Sequence, residues 1–483
     1  MSDAQKKQNF LQGTALLAMA TAIVKIIGAF YSIPLKAIIG DQAFGYYSTA
    51  YEIYTLLLMI STAGLPVAMS RMISQASSLE KYRQVRKTYA TARTIFLILG
   101  ILGTVLMMVF CRQLADFQKQ PNAWVTILAL GPACLLICLM STYRGFFQGQ
   151  SNMKPTSVSQ VLEAAVKLIC GLSFAGVLLW YTSSKAYAAG GAIFGVTMSC
   201  LISSIYLSGC FRRSYKDLPA GDDTADSGRT IAKNLLAIAV PITIGSVGLH
   251  ILTVLETRVY MSQLLQFMSQ ETADLQKGIY NFIQKIFNMP CAFITPITIS
   301  IIPAITAQIT TGDLKGAKAT EESAARVTAL ISMPCAVGLA VLAEPVTALL
   351  GGYSGENLAL ATNLMRVLGV CIMFNATVLL TNAIMQAHGH VNLPVVNMFI
   401  GGFLKLAAIA ILTGNKHIGI LGTPIGSLLC YVCITVLNVF TVRRVLEDPP
   451  AIVKNMLRSF FAAVIMGIGT FHTERKAMSL TSA

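Results

Sequence analysis

The chemistry in this sequence of 483 residues sits in ionisable side chains placed inside long apolar runs. A charge at the centre of a bilayer costs roughly 2.5–3.5 kcal/mol on insertion scales, so such a residue faces a cavity or a partner. Lys25 lies on a stripe with Thr14, Thr21, Gly28 and Ser32, whose spacings of seven, four, three and four put all five on one helix face. Asn281, Lys285 and Asn288 repeat the device at spacings of four and three, with Pro290 just beyond to open the helix. Neither lysine has an acidic residue within one turn of sequence. Cations so placed suit an anion, and phosphate or diphosphate is the obvious class. Glu163 and Lys167 stand four apart in the favourable order, either as a neutralised structural pair or as a charged cavity wall. Asn397, Gly401 and Lys405 share another face. Glu52 lies among Tyr46, Tyr47, Tyr51 and Tyr54, which also fit an aromatic belt at the headgroups. Glu256 and Arg258 close a further run, where an interface or a cavity would accept them.

Soluble-type catalysis lacks its residues. There is no Walker A sequence, no GxSxG and no HExxH. His388 and His390 have no metal-ligating neighbours and read as a solvated loop, so no metal site is expected. Cys430 and Cys433 form a CxxC with no second pair, and the eleven cysteines read as small core hydrophobes. No loop is long enough for a sugar-nucleotide site, so an enzyme is not expected.

The elements that must hold these residues are membrane helices. Apolar residues make up 55% of the chain and charged ones 12%, half the usual supply of about 25%. Twelve stretches are long enough to span, near 10–33, 44–70, 89–111, 123–147, 156–180, 186–210, 231–253, 279–307, 327–350, 360–386, 393–414 and 418–440. Lys6 and Lys7 imitate the start of a signal peptide, but the apolar run continues to Tyr31, which indicates a retained first helix. The net charge of +15 comes mostly from loops and does not call for nucleic acid. Alternate loops hold roughly twice as many Lys and Arg as the others, which places the N-terminus in the cytoplasm.

The longest polar interruption, 211–230, separates six stretches from six. Gln75 precedes Arg93 by 18 residues and Gln308 precedes Arg326 by 18; Gln148 precedes Lys167 by 19 and Gln386 precedes Lys405 by 19. The repeat predicts an all-α integral membrane fold of two pseudo-symmetric six-helix bundles of like orientation, 1–210 and 231–440. A cytoplasmic linker occupies 211–230 and a short tail 441–483. In that tail the apolar segment Ser459–Phe471 measures about 20 Å, an incomplete thirteenth span beside a core of about 30 Å.

The stretches Ile23-Val24-Lys25-Ile26-Ile27-Gly28, Pro34-Leu35, Ile39-Gly40-Asp41, Gly45-Tyr46-Tyr47, Ser61 through Ser70, and Gly338 through Pro345 resemble the stage V sporulation protein B family. That family lies in the multidrug/oligosaccharidyl-lipid/polysaccharide exporter superfamily, beside the MurJ-like lipid II flippases. The resemblance implies two lobes around a central cavity and alternating access. It implies flipping of a polyprenyl-diphosphate-linked saccharide, lipid II for peptidoglycan first among them, across the cytoplasmic membrane. Lys25-x-x-Gly28-x-Phe30 is similar to a flippase motif that begins with a cavity Arg. Lys285 to Pro290 is similar to one with Arg first and an acid fourth; here Lys keeps the charge and Asn288 replaces the acid. Met59 and Ala63 stand near positions where those flippases carry Arg and Glu. On this reading Lys25 and Lys285 hold the diphosphate, with Glu163, Lys167, Arg258, Glu52, Asn281 and Asn288 as further substrate contacts and Glu256 as the coupling-ion residue. The expected protein is a monomer without cofactor, driven by the membrane potential or an ion gradient, its partners the lipid-linked saccharide and the bilayer. The alternatives are a multidrug/cation antiporter of the same superfamily and a non-transporting scaffold in envelope or spore assembly.

Overall fold

Backbone N–H and C=O groups find no water in a hydrocarbon core, so a chain this apolar must satisfy them within helices. The computed structural model describes residues 3–221 and 223–481, and among these residues there are helices and no strand. Ten of the helical stretches among them are long and apolar enough to cross a bilayer. The chain is thus an all-α, multi-pass membrane protein. It divides into two compact units, residues 1–258 and 259–483.

In the first unit α1 (Asp3–Thr62) would be about 90 Å long if straight, three times the hydrocarbon core. Gly40 divides it with φ 77° and ψ 174°, a left-handed φ that glycine reaches without a Cβ penalty. Lys36 and Asp41 form an ion pair of 3.5 Å on either side of the break. The span expected at 44–70 is interrupted at Ala63–Gly64, and α2 (Leu65–Ser78) starts afresh with Pro66 in its first turn. A Cβ on Gly64 would collide with the Ala239 carbonyl of α8 (Gly228–Leu264), so glycine is what allows the backbones to touch. Between them run α3 (Tyr82–Val109), the short α4 (Cys111–Phe117), α5 (Trp124–Gly149), α6 (Lys154–Thr182) and α7 (Lys185–Lys216). α7 is largely enclosed, and a Cβ on its Gly195 would run into the backbone of Gly171 on α6. Small residues bring helices this close where lipid offers no hydrophobic drive.

The polar stretch 211–230, expected as a linker, packs within this unit. Asp223 accepts from the backbone N–H groups of Arg83 (2.9 Å) and Gln84 (3.0 Å), which caps α3 from 140 residues away. Asp226 and Gln84 exchange two further bonds, and Arg86 donates to the Leu218 carbonyl at 2.7 Å. Burial pushes the Asp223 carboxyl up, but the backbone donors of Arg83 and Gln84 outweigh it and hold the group below the usual carboxylate range.

The second unit comprises α9 (Gln270–Thr310), α10 (Leu314–Val341), α11 (Ala343–Gly351), α12 (Gly355–Ala387), α13 (Asn392–Thr413), α14 (Gly422–Val445) and α15 (Ile452–Thr481). Buried amides tie its middle together: Asn397 donates to Asn438 at 2.9 Å, and Asn438 donates to Thr381 and Asn382. His388 stands in the short loop after α12, as expected, but is half-buried there rather than solvated. Its Nε2 lies 2.7 Å from Oε1 of Glu321, a residue 1% exposed on α10. The tail differs from expectation as well. Residues 452–470 of α15 form a stretch of 19 residues long enough to span, because Ile452 to Leu457 extend the apolar segment past Arg458.

Candidate functional site

The first unit encloses a polar cavity of about 350 Å³ between α1, α5 and α6. From α1 come Thr21, Val24, Gly28 and Tyr31, at helical spacing, and Tyr51 from beyond the Gly40 break. α5 contributes Arg144, and α6 contributes Gln160, Glu163 and Lys167. Spacings of three and four along α6 put its residues on one face.

Arg144 is the organising group. Its Nη2 donates to Glu163 Oε2 at 2.9 Å and its Nε to Ser159 Oγ at 3.0 Å. Lys167 is held differently. Its Nζ donates to the Tyr51 hydroxyl at 3.5 Å, and it lies 4.6 Å from the Tyr51 ring centroid and 5.3 Å from that of Tyr31. Those faces attract a cation through the ring quadrupole. Tyr31 donates to the Ala192 carbonyl at 3.5 Å and packs against Tyr47, which stacks on Tyr51. Gln160 lines this space, and its Oε1 is buried without a hydrogen-bond partner among the described residues. Two cations, one carboxylate and an amide in an apolar shell give a concave site with a positive balance, of the size that binds small ligands. A phosphate fits the charge, and a hydroxylated group fits Gln160.

The structure gathers some of the residues singled out in sequence and separates others. Of the two readings open for Glu163 and Lys167, the cavity wall matches: both line the cavity, and the ion pair of Glu163 is with Arg144. Lys25 is half-buried on α1 beside Val24, and Thr21 and Gly28 of its stripe line the cavity. The side chain of Thr14 lies outside the described residues. Glu52 accepts from the Thr257 hydroxyl at 2.8 Å, next to buried Glu256 on α8. Arg258 donates to the Phe117 carbonyl at 2.8 Å and covers its ring at 4.3 Å, holding the end of α4. In the second unit Asn281 is buried, Lys285 half-buried and Asn288 exposed along α9. Tyr46, Tyr47 and Tyr54 are buried and form no headgroup belt. Arg144, Gln160 and Tyr31 escaped the sequence reading. A signal for Arg144 existed: folding α5 against α6 about the turn at 150–153 sets it level with Ser159, one turn from Glu163.

The sequence pattern of a family described as polysaccharide biosynthesis protein matches residues 10–308. Stage V sporulation protein B of Bacillus subtilis is 26% identical over 468 residues, covering 95% of this chain and 88% of its own length. Lipid II flippase MurJ of the same organism is 24% identical over 412 residues, covering 82% of this chain and 76% of its own length. Among solved structures, lipid II flippase MurJ in an inward closed conformation superposes with a TM-score of 0.70 at 14% identity, over 95% of this chain and 93% of that one.

Proposed function

The chain belongs to the polysaccharide biosynthesis protein family, and from that premise we propose that it is a flippase for a polyprenyl-diphosphate-linked saccharide, with lipid II as the substrate. The observation that carries this reading is the Arg144–Lys167 cavity, a cationic pocket inside a membrane-spanning bundle. The relative named a lipid II flippase supports the choice of saccharide. Lys167 and the Arg144 N–H groups beyond Nε and Nη2 meet the diphosphate, and Gln160 takes a sugar hydroxyl. Lys25 adds positive potential from the same helix face, and Lys285 makes a separate headgroup contact in the second unit. An exporter of cationic drugs would want an unneutralised acid in its pocket, whereas Glu163 is engaged by Arg144.

Transport proceeds by alternating access in a monomer with a cytoplasmic N-terminus. The membrane potential or an ion gradient drives it, without a cofactor, and Glu256 is the candidate residue for the coupling ion. Proteoliposomes carrying fluorescent lipid II, read by a leaflet-sidedness assay, test the reading. The wild type moves the lipid, and Arg144→Ala with Lys167→Ala does not, at equal membrane levels. Transport by that double variant at the wild-type rate overturns the proposal.

A further inference from the structure

α1 and α6 wall more than the polar cavity. On the other flank of their seam is an apolar groove of about 440 Å³, lined by Met19 and Ile23 of α1 and Val158, Val161 and Ala165 of α6. At 100° per residue, groove and cavity residues lie roughly 100° apart around α1 and roughly 140° apart around α6. The two spaces also overlap along the helices, at 21–23 of α1 and 160–165 of α6. Thr21 of the cavity falls between Ala20 and Ile23 of the groove, and Gln160 falls between Val158 and Val161. Small buried residues stand at the margins of both spaces, Ala20 in the lining of the groove and Ala164 in that of the cavity. Met19, Ile23 and Val158 are exposed, so the groove opens outward to the surroundings of the bundle.

We propose that this groove holds the first isoprenoid units of the lipid substrate while the diphosphate occupies the Arg144–Lys167 cavity. The inference rests on the flippase reading and adds the place where the tail is recognised. A prenyl diphosphate joins a dianion directly to an apolar chain, and this seam sets a cationic space beside an apolar one. Bilayer acyl chains are as apolar as an isoprenoid, so burial alone would not select the tail. Selection comes from the covalent link, since a seated head raises the effective concentration of its own tail at the groove, and a seated tail does the same for the head. The seam thereby favours prenyl-linked saccharides over soluble sugar diphosphates carrying the same charge.

The test is binding to the full chain in detergent, with a long prenyl diphosphate and a short, soluble one as probes. Val161→Trp and Ala165→Trp fill the groove and should weaken the long ligand about tenfold while leaving the short one within about twofold. Ile169→Trp adds the same bulk at an exposed position of α6 outside the groove and should change neither. Lys167→Gln should weaken both ligands alike. Wild-type affinity for the long ligand in both groove variants overturns the groove and leaves the head site standing. Unchanged binding of both ligands by Lys167→Gln overturns the head site instead. A long prenyl diphosphate with a photoreactive group in its first units provides a readout on the unaltered protein. Labelling at 19–23 and 157–165 supports the groove, and labelling confined to other helices refutes it.

Discussion

Replacing Lys167 by Gln keeps a long side chain that can hydrogen-bond but removes its charge, which isolates the contribution of the cation to ligand binding. The ammonium is held by one hydroxyl at 3.5 Å and by two ring faces at 4.6 and 5.3 Å. Each ring contact contributes about 0.5–2 kcal/mol, and none is a carboxylate. A diphosphate oxygen about 4 Å away would interact with that charge by roughly 4 kcal/mol at an effective dielectric of about 20. Desolvation takes back part of this, and charge-assisted hydrogen bonds net about 1.5–3 kcal/mol in practice. The lower range is the safer guide and corresponds to a loss of roughly 10–100-fold in affinity. Titration of a prenyl diphosphate into detergent-solubilised protein measures it, with size-exclusion profiles certifying equal folding. Lys167→Arg should recover most of the loss, because the charge returns even though the guanidinium geometry differs. Binding by Lys167→Gln within twofold of wild type would refute the assignment of the cavity to an anion.

Arg144→Ala leaves Glu163 in the cavity wall without its partner, so thermal stability should fall by about 2 kcal/mol, and Arg144→Ala with Glu163→Ala should recover it without restoring transport; scanning fluorimetry and the leaflet assay separate the two effects. Glu163→Gln frees Arg144 for the ligand and should tighten diphosphate binding while slowing turnover, measured by titration beside transport rate. His388→Ala removes the partner of a fully buried carboxyl and should cost about 1–3 kcal/mol, with Glu321→Gln costing less; melting curves read both. The carboxyl of Asp223 has a lower pKa folded than unfolded, so its contribution is present above the unfolded value near 3.9 and is lost as pH falls through the folded one. Asp223→Asn should therefore lower the melting temperature at pH 7 and flatten its decline below about pH 4.

The helices and the charges within them were legible because both follow from bilayer physics acting on local sequence. The pairing of those charges was not. A carboxylate four residues before a lysine is a rule for an isolated helix, and in the bundle Glu163 meets a guanidinium from α5 instead. Arg144 lies inside the expected stretch 123–147, but only the packing of α5 on α6 brings it to Glu163, 19 residues further on. Glu321 and His388 lie 67 residues apart and no pattern in either segment announces the other. The polarity of 211–230 marks it as a linker, but only the fold brings its Asp223 to the N–H groups at the start of α3. The break at Gly40 falls in the gap between the stretches 10–33 and 44–70, although the left-handed residue that makes it leaves no trace of its own in hydropathy.

The same cavity suggests why a site for an anion should contain an acid at all. Two cations enclosed within a membrane bundle each carry an insertion cost of roughly 2.5–3.5 kcal/mol, and Glu163 offsets one of them while the cavity is empty. A flippase must also let go. Binding energy that the loaded state keeps on both faces of the membrane deepens the well from which the lipid has to escape and does nothing for its crossing. On the proposed reading Arg144 would be shared between Glu163 and the ligand, so a diphosphate would gain a contact only as the carboxylate lost one, and the net gain would be smaller than two bare cations would give. Lys167 is held by aromatic faces and the Tyr51 hydroxyl, whereas Arg144 is bonded directly to Glu163, which makes Lys167 the steady contact and Arg144 the exchangeable one. Tight binding with slow turnover in Glu163→Gln is the signature of that division of labour, and it separates a carboxylate that regulates release from one that only props up a helix.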